Sequence, residues 1–316
     1  MSTTDFDRLA ALLGPRAERR GALGARTTYR VGGPAAVWFE AGDLADLDRV
    51  AEALAAEPAP CLVVGRGSNL LVADRGFAGL AVGLGPGFEE LALEPGAPGG
   101  AQVRAGGAVP LPVLARRTAA AGLRGLEWAV GVPGSVGGAV RMNAGGHGSD
   151  VAAGLRSVAV RDLAEPAGGV GQRPVTALDL GYRRSALGPT EVVVAATFAL
   201  VAGDRAEAEA EIAAVVRWRV EHQPGGPNAG SAFTNPPATS AGALIERAGL
   251  KGLRLGSARV SPKHANFIAA DGGGSADDVA RLMALVAERV EHDCGIRLAA
   301  EVRMVGFEAG AGPARR

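Results

Sequence analysis

Three short segments of the chain combine glycine with side chains that can donate hydrogen bonds. Residues 65–69 read Gly-Arg-Gly-Ser-Asn, and residues 131–139 read Gly-Val-Pro-Gly-Ser-Val-Gly-Gly-Ala. Because glycine lets backbone N–H groups approach a phosphate closely, these two segments predict contacts with a long, polyphosphorylated cofactor. The third segment, residues 229–236, reads Ala-Gly-Ser-Ala-Phe-Thr-Asn-Pro and would place Ser231 against whatever the other two segments bind.

The first glycine segment, taken alone, has two alternative interpretations. It follows the apolar run 61–64, so it could be a tight strand-to-helix turn in which Ser68 caps the helix. It could also open a dinucleotide-binding Rossmann unit, but Leu70 stands where the G-x-G-x-x-G fingerprint needs its third glycine. The sequence therefore disfavours a Rossmann unit and leaves the capped turn open.

Charge and composition disfavour several classes of function. The chain has 316 residues with 33 basic and 33 acidic side chains, so neither nucleic acid nor a membrane surface is expected as a partner. Its first residues carry acids where a signal peptide needs a basic flank, and its longest apolar run, 192–202, is shorter than the about 20 residues that span a bilayer. We expect a cytoplasmic protein. Cys61 and Cys294 form no C-x-x-C pair, so no metal site is expected.

Hydrophobic periodicity predicts both helices and strands. Residues 43–56 carry apolar side chains at three- and four-residue steps between two short apolar runs, which predicts strand, helix, strand. Residues 275–278 form a capping-box pattern, and Gly295 marks the end of the helix that follows. The second glycine segment is too rich in glycine for an ordinary helix or strand. The remaining predicted elements are helices at 111–121 and 204–221 and strands at 36–39, 62–64, 157–160 and 191–200.

The order of these segments along the chain resembles that of one enzyme family. The sequence is similar to the bacterial UDP-N-acetylenolpyruvoylglucosamine reductases, the FAD-dependent enzymes that complete UDP-N-acetylmuramate for the cell wall. Any one segment would be weak evidence, whereas their shared order over nearly the whole chain is strong evidence. The segments that carry the resemblance are 28–33, 65–69, 131–139, 142–145, 181–183, 229–236, 241–246, 249–252, 261–265 and 301–306.

The resemblance implies an α+β fold with a two-lobed FAD-binding region of the vanillyl-alcohol-oxidase/PCMH type and a C-terminal α+β substrate-binding domain. FAD is expected to bind noncovalently, with its pyrophosphate on residues 65–69 and its isoalloxazine near the second glycine segment. The expected ranges are an N-terminal helical segment 1–22, a FAD-binding region 23–203, a substrate-binding domain 204–306 and a disordered tail 307–316. The residues expected to bind FAD are Gly65, Arg66, Gly67, Ser68, Asn69, Gly131, Pro133, Gly134, Ser135, Gly137, Gly138 and Asn143.

The reaction implied by the resemblance sets three chemical requirements. Hydride passes from the flavin N5 to C3 of an enolpyruvyl ether, which leaves negative charge at C2 and its carboxylate until C2 is protonated. Arg183 suits the carboxylate, because a guanidinium binds it with two N–H groups and keeps its charge. Ser231 suits the protonation of C2, although a lone serine after glycine more often forms a turn. Glu301, on the expected final strand, suits the orientation of the carboxylate, or donation of a hydrogen bond if burial keeps it protonated.

The resemblance also implies which residues contact the substrate. Tyr182, Asn235 and His264 are expected contacts, the last two with the UDP half. Many relatives carry a lysine where this chain has His222, and a histidine is mostly neutral at pH 7, so Lys251 or Lys263 could supply the fixed positive charge. Relatives with a long insertion after the Tyr-Arg pair place a tyrosine over the substrate. Here the strand at 191 follows almost at once, so that lid is expected to be missing.

The expected partners are UDP-N-acetylglucosamine enolpyruvate and NADPH, which would use the same site in alternation, and the protein is expected to be a monomer. The first alternative is a flavin-dependent alcohol oxidase of the same fold, which would have no use for Ser231. The second alternative is a non-catalytic flavin- or nucleotide-binding module. It requires Arg183, Ser231 or Glu301 to be missing, and all three are present.

Overall fold

The computed structural model describes residues 4–95, 100–308 and 313. Most of the predicted disordered tail, 307–316, lies outside these residues. None of the helices in the described ranges is long and apolar enough to cross a bilayer. The α-helices of the described residues are α1 Phe6–Leu13, α2 Leu44–Ala56, α3 Leu111–Ala120, α4 Val136–Met142, α5 Val151–Gly154, α6 Arg205–His222, α7 Ala241–Arg247 and α8 Ala276–Cys294.

The strands are short except for the central strands of the largest sheet, and the α+β class is confirmed. Single turns of 3₁₀ helix cover Gly24–Arg26, Pro86–Phe88, Glu127–Gly131 and Val175–Leu178. The strands are β1 Glu18–Arg19, β2 Ala35–Ala41, β3 Cys61–Val64, β4 Leu70–Val72, β5 Phe77–Leu84, β6 Leu91–Pro95, β7 Gly100–Gly106, β8 Leu123–Arg124, β9 Gly145–Gly146, β10 Ser149–Asp150, β11 Leu155–Asp162, β12 Val170–Pro174, β13 Glu191–Ala202, β14 Arg254–Leu255, β15 Ala258–Val260, β16 Ile268–Ala270 and β17 Arg303–Val305.

The described chain folds into two compact units, each assembled from several segments. The first unit takes its residues from 4–19, 37–66 and the described part of 79–219. It holds a four-stranded sheet in the order β1-β2-β5-β3 and a larger sheet in the order β12-β11-β13-β7-β6, in which β8 also pairs with β13. Two hydrophobic cores lie in this unit. One contains Trp128 and Phe198, and the other contains Leu9 and Phe39.

The second unit takes its residues from 20–36, 67–78 and the described part of 220–316. It holds the sheet β14-β15-β16 and the parallel pair β17-β4, and a core around Phe233 and Met283. Asp74 caps the start of α8, because its carboxylate accepts from the backbone N–H of Ala276 at 2.8 Å and from the hydroxyl of Ser275. The segment after β4 is thereby joined to the last helix of the chain.

The helices with clear capping signals form where the sequence predicts them. Asp43 accepts from the backbone N–H of Asp46 at 3.0 Å and starts α2. Ser275 accepts from the backbone N–H of Asp278 at 3.1 Å, and Gly295, with φ of 65°, ends α8. Both helices stop within one or two residues of the predicted ends because the caps fix the backbone locally.

The prediction that the second glycine segment avoids regular structure is wrong for its last part. Residues 136–142 form α4, and the Ser135 hydroxyl accepts from the backbone N–H of Gly138 at 3.4 Å. A Cβ atom on Gly137 would lie 3.1 Å from the carbonyl oxygen of Val193 and 3.2 Å from that of Gly107. Glycine here lets a helix pack directly against strand backbone, and this packing outweighs its low helix propensity.

Candidate active site

The first glycine segment is a turn between two strands. It leaves β3 and enters β4, so the alternative of a strand-to-helix turn capped by Ser68 is wrong. Gly67 has φ of +63°, and a Cβ atom there would lie 2.4 Å from the carbonyl oxygen of Arg26. On Gly65 a Cβ atom would lie 2.6 Å from the hydroxyl oxygen of Ser135. Both positions therefore require glycine, which keeps the backbone of this turn bare.

A buried hydroxyl beside the glycine turn has no protein partner among the described residues. The backbone N–H of Thr28 donates to the carbonyl oxygen of Gly67 at 3.2 Å, which places Thr28 beside the turn, and the Thr28 hydroxyl oxygen is the buried group. Because a buried donor without a partner costs about 1–3 kcal/mol, an acceptor on a ligand would stabilise it. Thr28 therefore fits the FAD that the sequence predicts.

His147 packs against the start of the second glycine segment. A Cβ atom on Gly131 would lie 2.9 Å from the imidazole ring, and the ring stands edge-on to Trp218 with 5.1 Å between ring centroids. Burial, with a smaller contribution from the charge of Arg219, lowers the pKa of His147. Sequence reasoning passed over His147, because an isolated histidine in a loop gives no signal of the backbone it touches.

Asn143 ends α4, and its side chain forms its hydrogen bonds with other groups of the protein. Its backbone is left-handed, with φ of 39°, and only 3 % of its surface is exposed. The side-chain N–H₂ donates to a carboxylate oxygen of Asp150 and to the carbonyl oxygen of Gly181, each at 3.1 Å. Its side-chain oxygen accepts from the backbone N–H of Ala152 at 3.0 Å. Asn143 therefore ties the loop after α4 to the Gly-Tyr-Arg segment.

Arg183 lies in a tight turn of the same unit. Gly181 and Arg184 exchange two backbone hydrogen bonds of 3.1 Å, and Arg183 between them has φ of +57°. Its guanidinium donates to the carbonyl oxygen of Gly145 at 3.2 Å and lies 5.0 Å from the ring centre of Tyr182, which is about half exposed. The turn and this hydrogen bond fix where the charged group points.

Ser231 belongs to the second unit. It lies on an extended segment between two others, one that carries Phe267 and one that carries Glu301. It forms an isolated antiparallel bridge with Phe267. The backbone N–H of Ala232 donates to the carbonyl oxygen of Asn266 at 2.8 Å. The Asn266 side chain accepts from the Phe233 N–H at 3.0 Å and donates to the Phe233 carbonyl oxygen at 2.8 Å. Asn266 is thus the main support of the serine segment, and nothing in the sequence pattern signals it.

Glu301 lies against the serine segment from the other side. Its backbone N–H donates to the carbonyl oxygen of Ala232 at 2.9 Å. Its own carbonyl oxygen accepts from the side-chain N–H₂ of Asn69 at 3.1 Å. The structure therefore brings together, within one unit, the predicted proton donor segment, the predicted carboxylate and the last residue of the glycine turn.

Asn235 and His264 meet at the first turn of α7. The side-chain oxygen of Asn235 accepts from the backbone N–H of Ala241 at 3.0 Å. A Cβ atom on Gly242 would lie 3.5 Å from the His264 ring, and Nδ1 of His264 accepts from the backbone N–H of Asn266 at 3.3 Å. Burial lowers the pKa of His264. The ring is therefore neutral near pH 7 with its proton on Nε2, where it can donate to a ligand.

The lysines differ from His222 in what they contact. His222 is exposed and is the last residue of α6. The ammonium of Lys263 donates to the carbonyl oxygen of Val220, two residues earlier on the same helix. Lys251 pairs with Glu246 at 2.7 Å. The Lys263 ammonium therefore places a fixed positive charge near the end of α6, the helix that ends with His222.

Two family models match separate parts of the chain. Residues 35–162 match an FAD binding domain, and residues 218–305 match the C-terminal domain of UDP-N-acetylenolpyruvoylglucosamine reductase. Both matches agree with the resemblance drawn from the order of the sequence segments.

Curated relatives and a solved structure extend this likeness to about nine tenths of the chain. The UDP-N-acetylenolpyruvoylglucosamine reductase of Heliobacterium modesticaldum is 42% identical over 287 residues, which cover 90% of this chain and 89% of the relative. The reductase of Rubrobacter xylanophilus is 41% identical over 282 residues, which cover 89% of this chain and 92% of the relative. The crystal structure of the Thermus caldophilus enzyme superposes with a TM-score of 0.79 at 36% identity and covers 92% of this chain and 99% of that one. The chain belongs to the UDP-N-acetylenolpyruvoylglucosamine reductase family.

Proposed function

We propose that this chain reduces UDP-N-acetylglucosamine enolpyruvate to UDP-N-acetylmuramate with NADPH and FAD, in the synthesis of peptidoglycan precursors. Full-length relatives at about 40% identity carry the reductase name. The observation that supports the chemistry best is the bond of the Glu301 backbone N–H to the carbonyl oxygen of Ala232, at 2.9 Å. It joins the carboxylate-bearing strand to the segment that carries Ser231, the residue proposed to donate the proton.

The glycine turn and the second glycine segment are proposed to hold FAD noncovalently. Bound there, FAD would accept hydride from NADPH and deliver it to C3 of the enolpyruvyl group. Backbone N–H groups of residues 65–69 would face the pyrophosphate, because bare glycine backbone admits close approach. The Thr28 hydroxyl beside Gly67 is a further candidate donor. The ranges 23–203 and 204–306 remain our proposal for the FAD-binding and substrate-binding domains.

Arg183 is proposed to bind the carboxylate of the substrate. Charge on that carboxylate grows while C2 carries negative charge, so a guanidinium held in place stabilises the transition state more than the ground state. The turn and the hydrogen bond to Gly145 keep the group oriented before the substrate arrives. Little reorganisation is then needed during the reaction.

Ser231 and Glu301 are proposed to complete the proton transfer. The Ser231 hydroxyl would give its proton to C2, and Glu301 would orient the carboxylate or support the serine. Ser231 is part-buried on a segment fixed on both sides, by Asn266 and by the Glu301 backbone. A fixed hydroxyl can be presented to one face of C2, which sets the stereochemistry of the product.

The nucleotide half of the substrate is proposed to contact Asn235, His264 and Tyr182, with His222 or Lys263 near the diphosphate. NADPH would use the same site in alternation. We further propose that the protein is a cytoplasmic monomer, which gel filtration with light scattering would test by its mass. A dimer would leave the proposed chemistry unchanged.

An anaerobic absorbance titration tests the proposed function. NADPH should bleach the flavin band near 450 nm, and the enolpyruvyl substrate should restore it without oxygen. If oxygen restored the band and the enolpyruvyl substrate did not, the alcohol oxidase alternative would gain support. A protein that neither NADPH nor the substrate affects would be a non-catalytic flavin-binding module.

A further inference from the structure

The segment after α4 holds the Arg183 turn at two points. Asn143 donates through its side-chain N–H₂ to the carbonyl oxygen of Gly181, which opens the turn. Two residues after Asn143, the carbonyl oxygen of Gly145 accepts from the Arg183 guanidinium. One end of the segment thus fixes the backbone of the turn, and the other fixes the charged group.

The turn needs such support because its backbone is strained. Arg183 has φ of +57°, a left-handed conformation that costs a residue with a Cβ atom about 1–2 kcal/mol. Such conformations persist only where the surroundings hold them in place. The two backbone bonds between Gly181 and Arg184 close the turn but do not attach it to the rest of the unit. The bond from Asn143 is one attachment, from a side chain that is itself almost completely buried. The Ser185 hydroxyl supplies another, because it donates to the carbonyl oxygen of Arg141 at 2.8 Å.

We propose that Asn143 is a positioning residue for Arg183, and that it acts by locking the Gly181 carbonyl, in place of the FAD contact that the sequence resemblance implies. This inference rests on the role proposed for Arg183 in the reduction. The Asn143 side chain forms three hydrogen bonds in the described structure, and all three go to protein groups, namely Asp150, Ala152 and Gly181. The same bonds hold the loop that carries Gly145, so Asn143 influences both the backbone of the turn and the Arg183 guanidinium.

Two variants of Asn143 separate the effect of its backbone conformation from the effect of its side-chain hydrogen bonds. Asn143→Gly keeps the left-handed backbone and removes all three side-chain hydrogen bonds. Asn143→Asp keeps the acceptor for the Ala152 N–H but loses the bond to Gly181 and places a second carboxylate beside Asp150. The matched control is Asp179→Gly, because Asp179 is also left-handed, with φ of 39°, and its carboxylate pairs with the exposed side chain of Arg184.

The first measurement separates the two half-reactions by stopped flow. Asn143→Gly should leave flavin reduction by NADPH within about twofold of wild type and slow the reoxidation by enolpyruvyl substrate. A displacement of about 1 Å in a positioned group can cost about 10²-fold, which sets the expected scale. Asn143→Asp should slow the second half-reaction to a similar extent, and Asp179→Gly should be close to wild type.

A double-mutant cycle with Arg183→Ala decides whether Asn143 acts through Arg183. In the Arg183→Ala background, Asn143→Gly should cause little further loss, because there is no guanidinium left to position. An equal loss in both backgrounds would overturn the inference. A lowered FAD content or slower flavin reduction in Asn143→Gly would overturn it as well, and would point to a contact with the cofactor.

Trypsin supplies a readout that does not depend on the reaction. Cleavage after Arg183 and Arg184 should be faster in Asn143→Gly than in wild type or Asp179→Gly, because the turn has lost one of its attachments. Unchanged cleavage would show that Asn143 does not hold the turn, whatever the activity. If cleavage accelerates but wild type does not reduce the enolpyruvyl substrate, the proposed function fails and the structural role of Asn143 stands.

Discussion

The side-chain amide of Asn266 forms two hydrogen bonds with the backbone of Phe233, one as acceptor at 3.0 Å and one as donor at 2.8 Å. This pairing copies the exchange between opposite residues of antiparallel strands. Both residues are buried, so water cannot replace either bond. One side chain therefore does for the serine segment what a neighbouring strand does in a sheet.

Asn266→Ala should destabilise the fold and slow only the second half-reaction. It leaves a buried N–H and a buried carbonyl of Phe233 unpaired, at about 1–3 kcal/mol for each group. Urea unfolding gives the loss of stability, and stopped flow gives the two half-reactions. The control is Asn228→Ala, which removes the side-chain acceptor for the Gly230 N–H at a half-exposed position where water can substitute. Equal stability of the two variants would contradict the expected role of Asn266.

Ser231→Ala should leave flavin reduction by NADPH almost unchanged and slow the reduction of the enolpyruvyl substrate by about 10²–10⁴-fold. Only the second half-reaction needs a proton at C2, and water should supply the residual rate. Single-turnover measurements of each half-reaction check this. Equal losses of rate in the two half-reactions would show that Ser231 has only a structural role.

Arg183→Lys should be nearly as damaging as Arg183→Ala. Lysine keeps the positive charge, but it lacks the planar pair of N–H groups that binds a carboxylate from two sides. The rate of flavin reoxidation and the substrate KM of both variants provide the comparison. Near-normal turnover of the lysine variant would mean that charge alone is enough.

Substitutions near the end of α6 should separate His222 from Lys263. If His222 binds the diphosphate, His222→Lys should lower KM without changing the chemical step, because lysine adds a fixed positive charge at that contact. If Lys263 binds it, Lys263→Met should raise KM. KM measured in wild type and both variants distinguishes the two, and an unchanged KM in His222→Lys would exclude His222.

Acid should destabilise the folded protein partly through His264. Burial lowers its pKa below the ordinary value of 6.5, so the unfolded chain binds more protons than the folded chain as the pH falls. The stability that the neutral ring contributes is present above pH 6.5 and is lost as the pH falls from there towards the lowered pKa. His264→Asn should reduce the pH dependence of the free energy of unfolding, measured with urea, in this window. His147→Asn should remove a separate part of that dependence, because burial lowers the pKa of His147 as well. An unchanged slope for His264→Asn would contradict the assignment.

Local signals in the sequence were sufficient for the capped helices α2 and α8 and for the family. The serine that caps α8 and the glycine that ends it act on neighbouring residues, so a short pattern contains the whole interaction. The family resemblance rests on motifs in a fixed order, and the comparisons confirm it. The roles of Ser231, Arg183 and Glu301 were inferred from that resemblance and stay predictions.

The supporting contacts could not be predicted, because they join residues that are distant in sequence. Asn266 and Phe233 are 33 residues apart, and Asn143 and Gly181 are 38 apart. An amide that pairs with a backbone group leaves no periodic pattern. For α4, glycine composition was misleading, because close packing against the backbone of Gly107 and Val193 decided the structure. Such effects depend on which segments meet, which one sequence alone does not show.

The cap that Asp74 places on α8 has a consequence for recombination between relatives. Asp74 precedes Ala276 by 202 residues, yet both belong to one compact unit. A chimera with a single crossover near residue 220 would take this carboxylate from one parent and the helix it caps from the other. Where the other parent lacks a carboxylate at this position, α8 would lose this cap, so residues 20–36 and 67–78 should be exchanged together with the C-terminal part of the unit.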